Sequence, residues 1–359
     1  MLEEEQEPFI SIVILSKDRH KDIVRCLESI AKLRYKNIEV IIIDNHSTSQ
    51  ENLKLPEKFP EHTYIYLNDN LGTSVTRNAG AALASGEYIW FLDNDTEITK
   101  PDYITQILAL FAVDDKLGAI GGEAILGEGN KVESVKELDL QQNGFTDGRI
   151  NHGNYGELSY VKCLATCNVF IKREAFDHVG GFDPWFFFYL EDLDLTFRIY
   201  QSDYKLAVLC KTPVIHWFSS GGRGSPWLGP NKNRIYFVVK NFPWPNILVL
   251  PILDFFYLVR PSNFTRLVSY SRKADLGSEA FLRDSTNLKR GLTIEKIRRG
   301  LLEAIKFPLT ILLGYISVLP HISKGILSRS RPSNYVTTSC LRGKIKKLHP
   351  PGLRDYLNI

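Results

Sequence analysis

The sequence predicts an α/β fold: a mostly parallel central sheet with helices on both faces, followed by a C-terminal helical region. Three observations carry this. Apolar runs of strand length alternate with segments of helical spacing up to about residue 125. The apolar runs end in clusters of polar residues. From about Asn233 the chain turns to apolar stretches that carry prolines and are accompanied by Lys and Arg. Alternating apolar strands and helices are the pattern of a parallel sheet buried on both sides.

Taken in order, Phe9–Leu15 (FISIVIL) is a continuous apolar run of strand length. Ile23–Leu33 places Ile23, Leu27, Ile30 and Leu33 at helical spacing. Ile38–Asp44 (IEVIIID) reads as a second buried strand and Thr63–Leu67 as a weaker third. Thr73–Ser85 is a helix rich in small residues, Glu87–Leu92 (EYIWFL) a fourth strand, and a helix starts near Pro101. Residues 127–160 are polar and weakly patterned, and suit a functional loop region or a variable insert equally. Beyond them, Asn168–Ile171 is a strand, Phe186–Gln201 leads into a helix, and Lys205–Leu209 is a further strand. Thr212–Trp217 (TPVIHW) ends with His216 on an aromatic-rich segment. Pro243–Val259 and Phe307–Ile322 are strongly apolar, yet each falls short of the roughly 20 uninterrupted apolar residues that span a bilayer.

At 359 residues, 44% hydrophobic and 24% charged, the chain is long enough for one large domain, or a domain plus an appendage. The expected division is 1–232, with halves at about 9–126 and 127–232, and then 233–359. The five cysteines, Cys26, Cys163, Cys167, Cys210 and Cys340, are odd in number and irregular in spacing. That argues against a disulfide framework and for a reducing compartment. Cys163 and Cys167 read as buried small apolar residues. The opening MLEEEQEPF has neither the basic nor the apolar region of a signal peptide, so none is expected. The net charge of +3 hides an asymmetry: Arg260–Ile359 holds 19 Lys+Arg against 6 Asp+Glu, a net of +13, and Met1–Val259 carries 25 against 35, a net of −10. An acidic body with a basic tail points to an anionic partner for the tail, nucleic acid or anionic lipid.

Open α/β sheets bind ligands at the carboxyl ends of their strands. That rule gathers Ser16-Lys17-Asp18-Arg19, Asp44-Asn45, Asn68 to Gly72, and Asp93-Asn94-Asp95 on one rim. The last cluster admits two readings. Asp and Asn favour turns and helix N-caps. Two carboxylates one residue apart also suit a hard divalent cation such as Mg²⁺ or Mn²⁺. A second constellation is YLEDLDLTFR, Tyr189–Arg198. On a helix, Leu190, Leu193, Phe197 and Tyr200 share an apolar stripe, while Glu191 and Asp194 share another face. One reading is a solvated face with an Asp194–Arg198 pair. The other is a carboxylate held against the aromatic, glycine-rich GGFDPWFFFY, with its pKa raised so that it can act as a base. His216 is a structural histidine unless the fold brings it near Asp95, where it becomes a third metal ligand.

Together the segments SIVILSKDRH, VIIIDNHSTSQEN, NLGTSVTRNAGAALASGEYIWFLDNDTEI, GGFDPWFFFYLEDLDLTFR and VIHW resemble an inverting family 2 glycosyltransferase of the GT-A (Rossmann-like) fold. The likeness runs from about Phe9 to Trp217 and more loosely to the end. The tail is similar to that of bacterial, rhamnosyltransferase-like members that build cell-surface polysaccharides on lipid carriers. The resemblance implies a nucleotide-sugar half at 9–126, an acceptor half at 127–232, and a basic, membrane-associating helical region at 233–359. It implies donor contacts from Ser16, Asp18, Arg19, Asp44, Asn70, Arg77, Asp93 and Asn94. Asp44 would meet the base and Arg77 would approach the diphosphate. Asp95, with Asp93 and His216, would hold Mn²⁺ or Mg²⁺. Asp192, with Glu191 as runner-up, would be the catalytic base, and Trp185 and Tyr189 would meet the acceptor. Partners implied are a UDP- or dTDP-sugar, dTDP-rhamnose among them, a glycan or polyprenyl-linked acceptor, and an anionic membrane surface. The location implied is cytoplasmic, at the inner face of the cell membrane. The tail could serve membrane contact, dimerisation or both. The first loop, Ser16-Lys17-Asp18-Arg19, departs from the Tyr-Asn that many members carry there.

Two other readings stand beside this one. A nucleotidyltransferase usually has a Gly-rich loop after the first strand, and LSKDRHK has no glycine. An inactive, membrane-bound scaffold that binds a glycan or a partner would show no metal-dependent nucleotide binding. A nucleic-acid binder lacks a recognisable module. A processive membrane-embedded synthase would need clear spanning segments.

Overall fold

The computed structural model describes residues 7–127, 137–144, 146–149, 158–217, 228–259, 308–330, 335–336, 339 and 343–349. Its main sheet is built from β1 (Ile10–Ser16), β2 (Ile38–Asp44), β3 (Thr63–Leu67) and β4 (Tyr88–Asp93), with helices between them. Those helices are α1 (His20–Ala31), the short α2 (Leu55–Lys58) and α3 (Thr73–Leu83). Next come β5 (Thr96–Glu97), α4 (Tyr103–Val113) and β6 (Leu117–Leu126). Within the weakly patterned 127–160 region lie β7 (Glu137–Leu140), β8 (Thr146–Arg149) and the start of β9 (Leu158–Val161). The chain continues through β10 (Asn168–Lys172), α5 (Arg173–His178), α6 (Glu191–Gln201) and β11 (Lys205–His216).

Strand order is β12-β3-β2-β1-β4-β10-β6-β11-β5, where β12 is Ile345–His349, and β9 pairs with β11. The strands β3-β2-β1-β4 are parallel, as their continuous apolar runs predict. Past β4 the sheet is mixed, because β10 runs antiparallel to both β4 and β6. Between β1 and β4 the order reverses: chain from β1 leads outward to β2 and β3, then returns to β4 on the other side. Such a switch point leaves a crevice at the carboxyl ends of the two strands.

Strand alternation assigns the two faces. Ile10, Ile12 and Ile14 join one core with Ile23 and Leu27 of α1 and Ile104, Ile107 and Phe111 of α4. Val13, Ile89 and Phe91 join the other with Phe176 of α5 and Leu195 and Ile199 of α6. Each such buried side chain contributes roughly 1.5–3 kcal/mol, so both faces bind helices strongly. The small residues of α3 have a purpose here. A Cβ on Gly80 would come within 2.4 Å of Val13 Cγ1, so glycine lets this helix lie directly on β1.

The chain divides into two units: Met1–Asp139 with Asp147–Trp217 and Pro332–Ile359, and Leu140–Thr146 with Phe218–Arg331. The main break falls after Trp217 rather than at 232, and another follows Arg331, since Pro332–Ile359 groups with the first unit. The reason is local: β12 pairs antiparallel with the edge of β3, and Tyr335 N–H donates to Gly180 O at 2.8 Å.

In the second unit, α7 (Leu228–Asn241) is buried through Ile235–Val239. Against it lie α8 (Trp244–Val259) and α9 (Pro308–Leu327). Asn231 donates to Thr310, and a Cβ on Gly314 would touch Ile235. Asp254, the one charged residue in α8, turns inward to a bidentate pair with Arg234 at 3.0 and 2.8 Å and accepts the Tyr315 hydroxyl at 2.8 Å. The opposite sides are bare. Leu248, Ile252, Phe255 and Phe256 of α8 and Leu312, Ile316 and Leu319 of α9 are all more than half exposed. At 20 residues and a mean hydropathy of 1.4, α9 is by length and composition able to cross a membrane. The helix reaches this length by continuing past the Phe307–Ile322 stretch to Leu327.

Candidate functional site

Strand register builds the rim. Leu15 pairs with Asp93 and Ser16 with Asp44, so the ends of β1, β2 and β4 are level. Asp93 closes β4, its N–H bonded to Cys167 O at 3.0 Å. Two residues on, Asp95 is only 4% exposed. It is met by the far end of β11, because β5 pairs antiparallel with β11 through Thr96 and His216, and Trp217 N–H donates to Asp95 O at 2.7 Å. His216 Nε2 thus lies 3.1 Å from Asp95 Oδ1.

Asp93, Asp95 and His216 each point a ligand atom to a place where all three lie within 4.8 Å of one another. Two hard oxygen donors and an imidazole fit a divalent cation. In this structure the carboxylates are met by arginines. Arg19 Nη1 donates to Asp95 Oδ2 at 2.5 Å, and Arg77 Nη2 to Asp93 Oδ1 at 2.9 Å. Burial works to raise the Asp95 carboxyl, but His216 and Arg19 outweigh it and hold it below its ordinary value.

Arg77 sits one turn into α3, which starts after Gly72 at φ +80°. It is 7% exposed, with its guanidinium over the Phe182 ring. Its second terminal nitrogen, Nη1, donates to Glu191 Oε1 at 3.0 Å. Glu191 Oε2 is buried with no hydrogen-bond partner among the described residues. Glu191 opens α6, and Tyr189 and Leu190 before it both take positive φ, 73° and 66°. Backbone strain of this kind is held in place by its surroundings and collects at functional sites. Here Phe187 O accepts from Thr73 N–H at 2.8 Å and Phe186 O from Ser74 Oγ at 2.5 Å. Asp192 is half-buried, and its carboxylate accepts from Leu193 N–H at 2.9 Å. Burial first, then the Glu191 carboxylate, push it up to about 7, with Arg77 opposing. Proton transfer is most efficient from a group titrating near the working pH.

Other expected residues are placed differently. Asp44 is 3% exposed, and its oxygens accept from Ser47 N–H, Ser47 Oγ and Asn52 Nδ2, so contact with a base would require these bonds to be given up. Asp18 (φ +49°) turns its carboxylate to Thr48 and Ser49. Asn70 Oδ1 accepts from Asn45 and Gly72 N–H, shaping its own loop. Ser16 is 1% exposed and accepts from Asn94 Nδ2 at 3.4 Å. Trp185 and Tyr189 are only half-buried, while Phe187 and Phe188 are the exposed aromatics at 53% and 37%. The Asp194–Arg198 pair forms, but buried rather than solvated: Asp194 is 0% exposed, and Arg198 also reaches Val179 O and Gly181 O. Cys163 is buried and Cys167 packs on the core, as expected. Cys340 lies outside the described residues.

Sequence reasoning missed Asp22 and Trp217. Arg19 is held by Asp22 Oδ2 at 3.0 Å and Trp217 O at 3.0 Å. The three-residue spacing of Arg19 and Asp22 is a signal for the first, and nothing local signals the second.

Residues 11–180 match the model of glycosyl transferase family 2. The chain carries a glycosyl transferase family 2 domain. The chain is similar to the O-antigen biosynthesis protein RfbC of Myxococcus xanthus, 26% identical over 258 residues, which cover 64% of this chain and 20% of that protein. This chain thus spans about a fifth of that relative's length. Among solved structures, GalNAc-T7 with UDP, GalNAc and Mn²⁺ superposes with a TM-score of 0.57 at 18% identity, covering 72% of this chain and 52% of that one. The mannosyltransferase PcManGT from Pyrobaculum calidifontis, in complex with GDP-Man and Mn²⁺, gives 0.51 at 16% identity, covering 86% and 88%. These likenesses establish a GT-A-like fold for the sheet and its helices.

Proposed function

We propose that this protein is a metal-dependent, inverting glycosyltransferase that moves a sugar from a UDP- or dTDP-sugar to a hydroxyl of a glycan or lipid-linked acceptor. The pathway class is cell-surface polysaccharide synthesis. One observation carries the reading: a buried arginine, Arg77, joins a cluster of three candidate metal ligands to a pair of carboxylates, one of which is pushed up to about 7. Asp93, Asp95 and His216 would hold Mn²⁺ or Mg²⁺. When bound, the ion supplies positive charge against the leaving diphosphate. Asp192 takes the proton of the acceptor hydroxyl as that oxygen attacks the anomeric carbon, and the bond from carbon to the diphosphate oxygen breaks on the opposite side. A single in-line displacement inverts the anomeric centre. Arg77 keeps Asp93 and Glu191 in place. Phe187 and Phe188, exposed just before α6, lie where an acceptor sugar would stack.

The bare faces of α8 and α9, with the net +13 of Arg260–Ile359, support docking on an anionic membrane surface on its cytoplasmic side. Liposome flotation tests this: binding to vesicles with anionic lipid and not to neutral ones is expected, and concentration-dependent dimers without lipid binding would assign the faces to self-association.

Calorimetric titration with UDP, dTDP and GDP, each with Mn²⁺ and with chelator, tests the main reading. Metal-dependent binding of one nucleotide is expected. Folded protein that binds none would return the chain to the scaffold reading.

A further inference from the structure

The first-loop arginine has a position that the family likeness does not explain. Arg19 stands on the rim after β1, where donor contacts are expected, yet its guanidinium lies on Asp95. Nη1 meets Oδ2 at 2.5 Å, Nη2 meets Trp217 O at 3.0 Å, and Nε meets Asp22 at 3.0 Å. With His216 on Oδ1, both oxygens of Asp95 are taken by side chains of this chain. Asp95 itself is 4% exposed, so water contributes little to its solvation.

We infer that Arg19 is the resident counter-ion of the metal cluster, so that the metal binds well only together with a nucleotide diphosphate. The inference rests on the reading above. A buried carboxylate without a partner is costly, and Arg19 supplies that partner. A divalent cation at Asp95 would stand beside a guanidinium at bonding distance, and like charges so close repel strongly where water is scarce. Metal binding therefore displaces Arg19 from Oδ2. The side chain is 25% exposed and long, so it has room to turn outward along the rim. A diphosphate bound there presents anionic oxygens, and a planar fork of donors suits phosphate. Diphosphate and metal then each favour the release that the other needs. By linkage, the gain in metal affinity caused by the nucleotide equals the gain in nucleotide affinity caused by the metal. Arg77 does not share this role, since both of its terminal nitrogens are engaged below the rim and it is 7% exposed.

The test is Mn²⁺ affinity read by electron paramagnetic resonance, without and with UDP, dTDP or GDP, for the wild type, Arg19→Ala and Arg19→Gln. Without nucleotide, both variants should bind Mn²⁺ at least about tenfold more tightly than the wild type, because no cation has to leave. With the preferred nucleotide present, the wild type should gain more affinity than either variant, and nucleotide binding at saturating Mn²⁺ should weaken in both. Arg19→Gln keeps the shape without the charge and guards against a folding defect in Arg19→Ala. Equal or weaker Mn²⁺ binding in folded variants, with nucleotide coupling unchanged, would overturn the inference while leaving the transferase reading intact. No Mn²⁺ binding by any form, with or without nucleotide, would overturn both.

Discussion

Arg77 donates to Glu191 across 114 residues of sequence, at 3.0 Å, while its other terminal nitrogen holds Asp93 at 2.9 Å. One buried cation thereby ties the end of β4 to the start of α6. Burial opposes the charge on Arg77, but Asp93, Glu191 and Asp192 outweigh it and hold the guanidinium firmly protonated. Removing one partner of a buried pair costs about 3–5 kcal/mol, because charge is left unpaired. Arg77→Ala should lose stability of that order in urea unfolding. Arg77→Lys should recover part of it but little activity, since one ammonium cannot span both carboxylates. An Arg77→Ala protein within about 1 kcal/mol of the wild type would remove the bridge from this account.

As the proposed base, Asp192 should set the acid limb of activity. With its carboxyl near 7, kcat/KM should rise with pH up to about 7 and then level off. Asp192→Asn should lower transfer by roughly 10²–10⁴-fold while donor binding stays close to that of the wild type. The sign for stability follows from the same shift. The folded value lies above the ordinary carboxylate value of 3.8, so the fold favours the neutral acid. That contribution is complete below the unfolded value and is lost as pH rises through about 7. Asp192→Asn should therefore melt higher than the wild type at pH 8, with the difference fading towards pH 4. Melting curves that differ equally at both pH values would contradict this.

Metal affinity divides the roles. Asp95→Asn should weaken Mn²⁺ binding in the presence of nucleotide by more than the ~10–100-fold typical of losing a supporting residue, and His216→Ala should weaken it less. Asp192→Asn should leave it unchanged. Mn²⁺ binding lost in Asp192→Asn and kept in Asp95→Asn would reverse the assignment.

The returning strand β12 covers the edge of β3, with Lys344 paired to Asp69 at 2.6 Å. An uncovered edge strand is a template for pairing with other chains. Deleting 332–359 should lower the melting temperature and produce light scattering at concentrations where the full chain stays clear. A monomeric, equally stable truncation would show that β12 is dispensable.

Much of the site was legible because its strands are short, apolar and buried on both faces. Such runs announce both their class and their ends, and the polar residues that follow must lie on the rim. Asp93 and Asp95 were found this way, whereas Asp192 came from the likeness of the YLEDLDLTFR segment to the family. His216 was legible only conditionally, since its approach to Asp95 depends on β5 pairing with β11 across more than a hundred residues. The occupation of Arg77, Asp44 and Asp18 by internal partners was not legible, because each partner is set by loop shape. The exposure of Phe187 and Phe188 instead of Trp185 and Tyr189 follows from two positive-φ residues that no local pattern signals.

By itself the sequence determined the alternation of strands and helices, the rim and the carboxylate chemistry on it, because hydrophobic period and turn-forming residues act locally. Only the tertiary structure decided which charges meet. Arg19 rests on Asp95, Arg77 bridges Asp93 and Glu191, and the tail returns as β12 to the edge of β3. Those pairings join residues far apart in the chain, and their geometry comes from strand order and register rather than from neighbouring residues.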